Sequence, residues 1–230
     1  PDYYVLSAAA FVEYAFIKAV AATGRPTLLR IGGATLAEIE TTINSFRAIS
    51  DAELTLLHGF QNYPTRLEET NIRQLVSLKQ LFDINVGLAD HIDGDSPLAR
   101  TIPMLAVACG ASWIEKHITF DREERGEDFE SALSPNAFAE FVQNIRDAET
   151  ALGKSAWGPL SEATLSYRQV SRKRTVAAHD LDKGAVLSEQ DICFKRCDNG
   201  VKPDESRMLI GRTIKQTLKA DAPIEWDDLQ

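Results

Sequence analysis

The sequence predicts an α/β protein of two domains, and three observations lead there. Short apolar segments alternate with amphipathic helical stretches through residue 153. Those segments are apolar at nearly every position, as strands covered on both faces are. After a polar interval, the texture changes to a short, turn-rich tail.

The elements follow in order. Residues 3–7 form a strand, and a helix over 12–22 is closed by Gly24 ahead of Pro26. Residues 27–31 form a second strand ending in Gly32-Gly33. Thr35 and Glu38 make a capping box for a helix reaching Ile49. The third strand, 54–59, leads into a loop with Tyr63-Pro64-Thr65 and a helix over 67–82. Residues 86–89 form the fourth strand, and Ser96-Pro97 opens the next helix with proline at its first position. The fifth strand covers 111–117, and Ser134-Pro135 opens a long helix ending near Gly153. Strict alternation with short connections calls for parallel strands and right-handed crossovers. An open doubly wound sheet and an eight-stranded barrel both satisfy it. No Gly-x-Gly-x-x-Gly follows a strand, so a dinucleotide site has no support. Five βα units are too few to close a barrel, which typically takes about 250 residues. Either the sheet is open or an N-terminal part precedes Pro1; the absence of an initiator Met is in keeping with the second.

Residues 154–173, with Trp157-Gly158-Pro159 and a polar run to Arg172, read as a linker. Residues 174–230 read as a compact, loop-rich domain, small enough to need another surface to pack on.

Composition narrows the function. The chain has 230 residues, 44% hydrophobic and 26% charged, a globular balance. Its net charge of −9 argues against a nucleic-acid or anionic-membrane surface, which would need a basic patch. The one dense basic stretch, Arg172-Lys173-Arg174, reads as a solvated linker end. Apolar runs are too short to span a bilayer, and the N-terminus lacks the basic region of a signal peptide. Cys109, Cys193 and Cys197 fit neither a zinc spacing nor a disulfide framework and read as free thiols of a cytoplasmic protein.

Active sites of parallel α/β folds lie at the C-terminal strand ends. The polar residues there are Ser7, Arg30, then His58, Gln61, Asn62 and Tyr63, then Asp90 and His91, and lastly Glu115, Lys116 and His117. Alternation puts Trp113, Glu115 and His117 on one face and Ile114 and Lys116 on the other; Gly87, Ala89 and His91 share a face, with Asp90 opposite. With His91 inward, His117 on the neighbouring strand can approach it. Two neutral imidazoles converging in a cleft suit a divalent transition metal, with Glu115 as a third ligand or as the group that fixes an imidazole; two hydrogen-bonded core histidines are the alternative that pattern leaves open. Lys116, of opposite parity, points to the helix layer, which disfavours a Schiff-base aldolase. His58 and His179 read as structural or solvated.

Several separated motifs, in order, resemble the sialic acid synthases and their spore-coat polysaccharide relatives: Leu56-Leu57-His58 with Tyr63-Pro64-Thr65, Gly87-Leu88-Ala89-Asp90-His91, and Glu115-Lys116-His117 with Gly126-Glu127-Asp128. In the tail, Val176-Ala177-Ala178, Lys183-Gly184, Asp191-Ile192, Lys195-Arg196 and Leu209-Ile210-Gly211-Arg212 resemble that family's antifreeze-like (SAF) domain. The resemblance implies a TIM-type (β/α)8 barrel represented here by its C-terminal five strands. It implies condensation of phosphoenolpyruvate with an N-acylmannosamine-type sugar to a nine-carbon 2-keto acid. It implies a divalent metal on His91 and His117, Mn²⁺ first, with Mg²⁺ or Co²⁺ as alternatives. It also implies sugar contacts at Tyr63 and Asp128, and a domain-swapped homodimer in which Arg196 reaches the partner subunit's site; Gln61 and Arg30, at neighbouring strand ends, are the further candidate substrate-binding residues.

The chain departs from the family pattern where phosphoenolpyruvate is bound. Val5, Ala8 and Ala10 stand where a Lys, a Ser and a Glu are usual, Arg30-Ile31-Gly32 where Ser-Thr-Gly is usual, Ala89 where Ser is, and Gln61 near a usual Asn. Arg30 is expected to replace part of the lost positive charge. Two other readings stand beside the synthase: a non-catalytic sugar-binding or assembly relative, and a different metal-dependent aldolase on the same barrel.

Overall fold

The computed structural model describes residues 1–59 and 62–230, in two units, Pro1–Lys154 and Ser155–Gln230. In the first unit, β1 (Tyr4–Ser7), β2 (Thr27–Arg30), β3 (Leu54–His58), β4 (Asn85–Asp90) and β5 (Ala111–Lys116) pair in sequence order, all parallel. The connections and the C-terminal end of this unit carry α1 (Tyr14–Ala21), α2 (Leu36–Arg47), α3 (Leu67–Thr70), α4 (Gln74–Phe82), α5 (Ile102–Ala108) and α6 (Pro135–Leu152). A doubly wound sheet reverses its strand order at a switch point. This sheet has no reversal, and singly wound order is that of a barrel.

Side chains on the two sheet faces meet different partners. Leu6, Leu29, Leu56 and Leu88 pack with Ile17, Phe46 and Leu75 of the helices. The opposite parity, Leu28, Leu57 and Ala89, forms a smaller cluster with Trp113. The sheet is curled around that second face. The Tyr3 ring, just before β1, meets the Trp113 ring of β5 edge-on with centroids 5.2 Å apart. In a flat sheet, four spacings of about 4.8 Å would separate them.

Local sequence sets the helix ends. Thr35 Oγ1 accepts from the Glu38 amide, and Glu38 Oε2 accepts from the Thr35 amide at 2.7 Å, so the expected capping box forms. Ser134 caps α6 with Pro135 behind it. Two expected helices are divided. The stretch 67–82 breaks at Asn71, whose φ of 43° is left-handed, giving α3 and α4. The segment after Ser96 forms a short 3-10 turn, Pro97–Arg100, before α5.

The second unit begins in the stretch read as linker, which contains a helix, α7 (Glu162–Ser171), capped by Ser161 and without a buried residue. Its apolar residues Leu165, Tyr167 and Val170 are exposed, and they lie in the polar stretch that reads as linker. Beyond it, β6 (Lys173–Ala177) pairs antiparallel with β7 (Ile192–Arg196). The rest is mostly turns around a core of Ala177, Leu187, Leu209, Ile214 and Ile224. No helix among the described residues is long and apolar enough to cross a membrane.

Leu56 sits fully buried at the centre of the sheet. Leu56→Ala is expected to lower the unfolding free energy by about 2–5 kcal/mol. Ile118→Ala, at a side chain more than half exposed, is expected to stay within about 0.5 kcal/mol of wild type. Urea titration followed by circular dichroism measures both, and equal effects would contradict the core described here.

Candidate metal centre at the strand ends

The pairing of β4 with β5 builds the site. Ala89 lies opposite Glu115, and Asp90 opposite Lys116, so the next residue on each chain, His91 and His117, turns back to the inner face. The two imidazole centroids are 5.1 Å apart at 76°. Glu115 Oε1 lies 3.9 Å from His91 Nε2. One donor atom from each of His91, Glu115 and His117 falls within 4.8 Å of the others. Donors held at about 2.0–2.3 Å from one ion sit up to about 4.6 Å apart, so the triad spans one coordination sphere to within a small movement.

The residues fit a divalent metal by their chemistry as well as their spacing. Two imidazoles and a carboxylate are the donors that Mn²⁺, Fe²⁺, Co²⁺ and Zn²⁺ accept. Glu115 Oε1 is buried and accepts no hydrogen bond among the described residues, an arrangement that burial ordinarily penalises.

Arg30, at the end of β2, closes the site from across the sheet. Its Nε and Nη2 donate to Glu115 Oε2 at 3.0 and 2.7 Å. β2 and β5 are three spacings apart, roughly 14 Å if flat, so this contact also needs the curl. Tyr63 lies over the histidines, its ring 4.9 Å from His91 and 5.7 Å from His117. Burial and then the nearby Asp128 carboxylate push its phenol above the usual tyrosine range, which keeps it a neutral O–H donor.

Asp128 Oδ2 is 3.6 Å from His117 Nδ1. Its loop is held by Arg122, which donates to the carbonyls of Phe129 at 2.6 Å and of Ala132, and pairs with Asp95 at 2.8 Å. Gly94 allows this close packing: a Cβ there would meet the Ala132 carbonyl oxygen at 2.1 Å. The carbonyl of His91 accepts from the Thr65 amide at 2.8 Å and from Ser131 Oγ at 2.7 Å. The carbonyl of His117 accepts from the Leu133 amide at 2.9 Å.

Arg30, Tyr63, His91, Glu115, His117 and Asp128 thus converge. Gln61 lies outside the described residues. Arg196 is exposed on β7 in the second unit. Lys116 points to the helix layer, as its parity predicts, and is buried against Asp90 at 2.9 Å; burial lowers its pKa and the Asp90 charge opposes that shift. His58 faces the same layer and bonds the Thr70 carbonyl at 2.9 Å, and burial lowers its pKa. His179 is exposed beside Asp191. Ser131 and Arg122 were not singled out from sequence. A serine in a loop and an arginine in a mixed charge run carry no signal of the carbonyls they serve.

Known proteins resemble this chain in sequence and in fold. Residues 2–156 match the NeuB family, and residues 175–230 match the SAF domain. The chain is 32% identical over 210 residues to an N,N'-diacetyllegionaminic acid synthase of Legionella pneumophila, covering 89% of this chain and 57% of that protein. It is similar to the crystal structure of an N-acetylneuraminic acid (sialic acid) synthetase from Leptospira borgpetersenii, with TM-score 0.64 and 29% identity over 73% of this chain and 57% of that one. It is also similar to spore coat polysaccharide biosynthesis protein SpsE of Bacillus subtilis, with TM-score 0.62, 25% identity, and coverage of 100% of this chain and 68% of that one. The chain spans 57–65% of the length of the first three functionally named curated relatives it matches, which are enzymes of the synthase class. On the match across residues 2–156, the chain belongs to the NeuB family and carries a SAF domain at its C-terminal end.

Proposed function

We propose that this protein condenses phosphoenolpyruvate with an N-acylmannosamine-type sugar, consuming one water and forming a nine-carbon 2-keto acid and phosphate in polysaccharide biosynthesis. The observation that carries the reading is the convergence of His91, Glu115 and His117 at the strand ends, with Tyr63, Asp128 and Arg30 around them. The division into a barrel part at 1–153, a linker at 154–173 and a SAF domain at 174–230 belongs to the same reading, and the separate family matches support it.

A divalent cation such as Mn²⁺ on His91, His117 and Glu115 would supply Lewis-acid polarisation of the sugar's aldehyde oxygen. The chain's own groups do the rest. Asp128 and the neutral Tyr63 hydroxyl hydrogen-bond the sugar. Glu115 anchors Arg30 through one side of the guanidinium, which leaves the Nη1 end for an oxygen of phosphoenolpyruvate. Val5 points to the inner face of β1, in register with Leu28, and brings no charge, so Arg30 is the strand-end cation for that anion.

Phosphate release from phosphoenolpyruvate, assayed with Mn²⁺ across a panel of N-acylated hexosamines, tests this. Release is expected with at least one N-acylmannosamine-type sugar. EDTA should stop it and Mn²⁺ restore it. His91→Ala should lower kcat/KM by on the order of 10³ or more, the scale of a lost Lewis acid. Arg30→Ala should weaken phosphoenolpyruvate use roughly 10- to 100-fold by removing charge-assisted hydrogen bonds. Sugar binding without release for any sugar would replace this reading with a sugar-binding or assembly role.

The reading also includes a domain-swapped homodimer, in which the exposed Arg196 serves the partner subunit's site. Sedimentation equilibrium at micromolar concentration should return twice the chain mass; a monomer would remove this role for Arg196.

A further inference from the structure

Directly behind the two histidines lies a buried ion pair that the proposed chemistry does not use. Asp90 and Lys116 face each other in the last register position of β4 and β5, on the helix side of the sheet. Their side chains are 1% and 0% exposed, with Lys116 Nζ 2.9 Å from Asp90 Oδ2. Lys116 Nζ also donates to the Ile92 carbonyl at 2.7 Å. Asp90 Oδ1 accepts from the Ile92 amide at 3.1 Å. His91 is therefore bracketed on both sides, at residues 90 and 92, by a network whose third member immediately precedes His117.

Stability alone is a weak reason for such a pair. Two charges lose their hydration on burial, and replacing a buried pair with apolar residues is often neutral or stabilising. A charge pair does supply direction. Apolar side chains tolerate sliding, whereas an ammonium held by a carboxylate and a carbonyl fixes where two strand ends stand relative to each other. The requirement for such fixing is severe here, because a one-residue slip would turn an inward histidine outward.

We propose that Asp90 and Lys116 are positioning residues: their ion pair locks the ends of β4 and β5 in the register and direction that point His91 and His117 at one metal ion. The pair touches neither substrate nor metal and acts through the backbone it holds. This rests on the reading of His91 and His117 as metal ligands.

The test compares Mn²⁺ affinity, by electron paramagnetic resonance of unbound Mn²⁺, with thermal stability in the intact protein. In the variant Asp90→Asn/Lys116→Met, both charges are gone and residue 90 can still accept from the Ile92 amide. Asp90→Leu/Lys116→Met is the second variant, should the first not fold. The expected result is a folded protein with Mn²⁺ binding weakened roughly 10- to 100-fold, the usual effect of losing the groups that orient metal ligands. A single Lys116→Met, which strands a buried carboxylate, should lower the melting temperature more than the double variant does. Mn²⁺ affinity within twofold of wild type in a folded double variant would overturn the positioning role and leave the metal site standing. No Mn²⁺ binding by the wild-type protein would overturn the metal site itself, and this inference with it.

Discussion

The register of β4 against β5 governs where the ligand atoms of the site can be. With Ala89 opposite Glu115 and Asp90 opposite Lys116, parity sends His91, Glu115 and His117 to one face and the Asp90–Lys116 pair to the other. A different register would offset the histidines along the strands or turn one of them into the helix layer. Hydrogen bonds then hold the turns that follow. The carbonyls of both histidines are engaged, one by Thr65 and Ser131 and the other by Leu133. Loop residues from well beyond β5 are thereby tied to the strand ends that carry the chemistry.

Curvature is the second constraint, and it acts through the first. A flat sheet would keep Arg30 and Glu115 apart. The curl brings them to 2.7 Å and lets one carboxylate face a guanidinium through Oε2 and His91 through Oε1. In the proposed function, that division makes Glu115 the link between the metal ligands and the anion-binding Arg30. Asp128 reaches the histidines differently, on a loop that Arg122 holds through several carbonyls, with a left-handed φ of 57° at Asp128 itself.

Much of this was legible in the sequence, for physical reasons that can be named. β2, β3 and β4 are buried at nearly every position and largely apolar, the pattern that marks covered strands, and all five strands were placed to within a residue or two. Alternation from Trp113 to His117 separated the inward-facing Glu115 and His117 from Lys116, which packs in the helix layer against Asp90. The capping signals Thr35 with Glu38 and Ser134 with Pro135 marked real helix starts. What pattern could not supply depends on tertiary contact. The choice between barrel and open sheet came from the family resemblance and from strand order, since periodicity is the same in both. The Arg30–Glu115 pair joins residues 85 positions apart, and neither local spacing nor propensity encodes it. Asn71 divides a helix that apolar periodicity alone runs through, and in α7 the exposed Leu165, Tyr167 and Val170 are too few within a polar stretch to mark a packed helix.

The central claim is that two imidazoles, one from each of two neighbouring strands, share one divalent ion. Electron–nuclear double resonance of Mn²⁺ bound to protein labelled with ¹⁵N at histidine observes this directly, because each coordinated ring nitrogen gives its own hyperfine coupling. Two coupled histidine nitrogens are expected in the wild type, falling to one in His91→Ala and in His117→Ala. A signal with no histidine coupling, or one unchanged by both substitutions, would contradict the account.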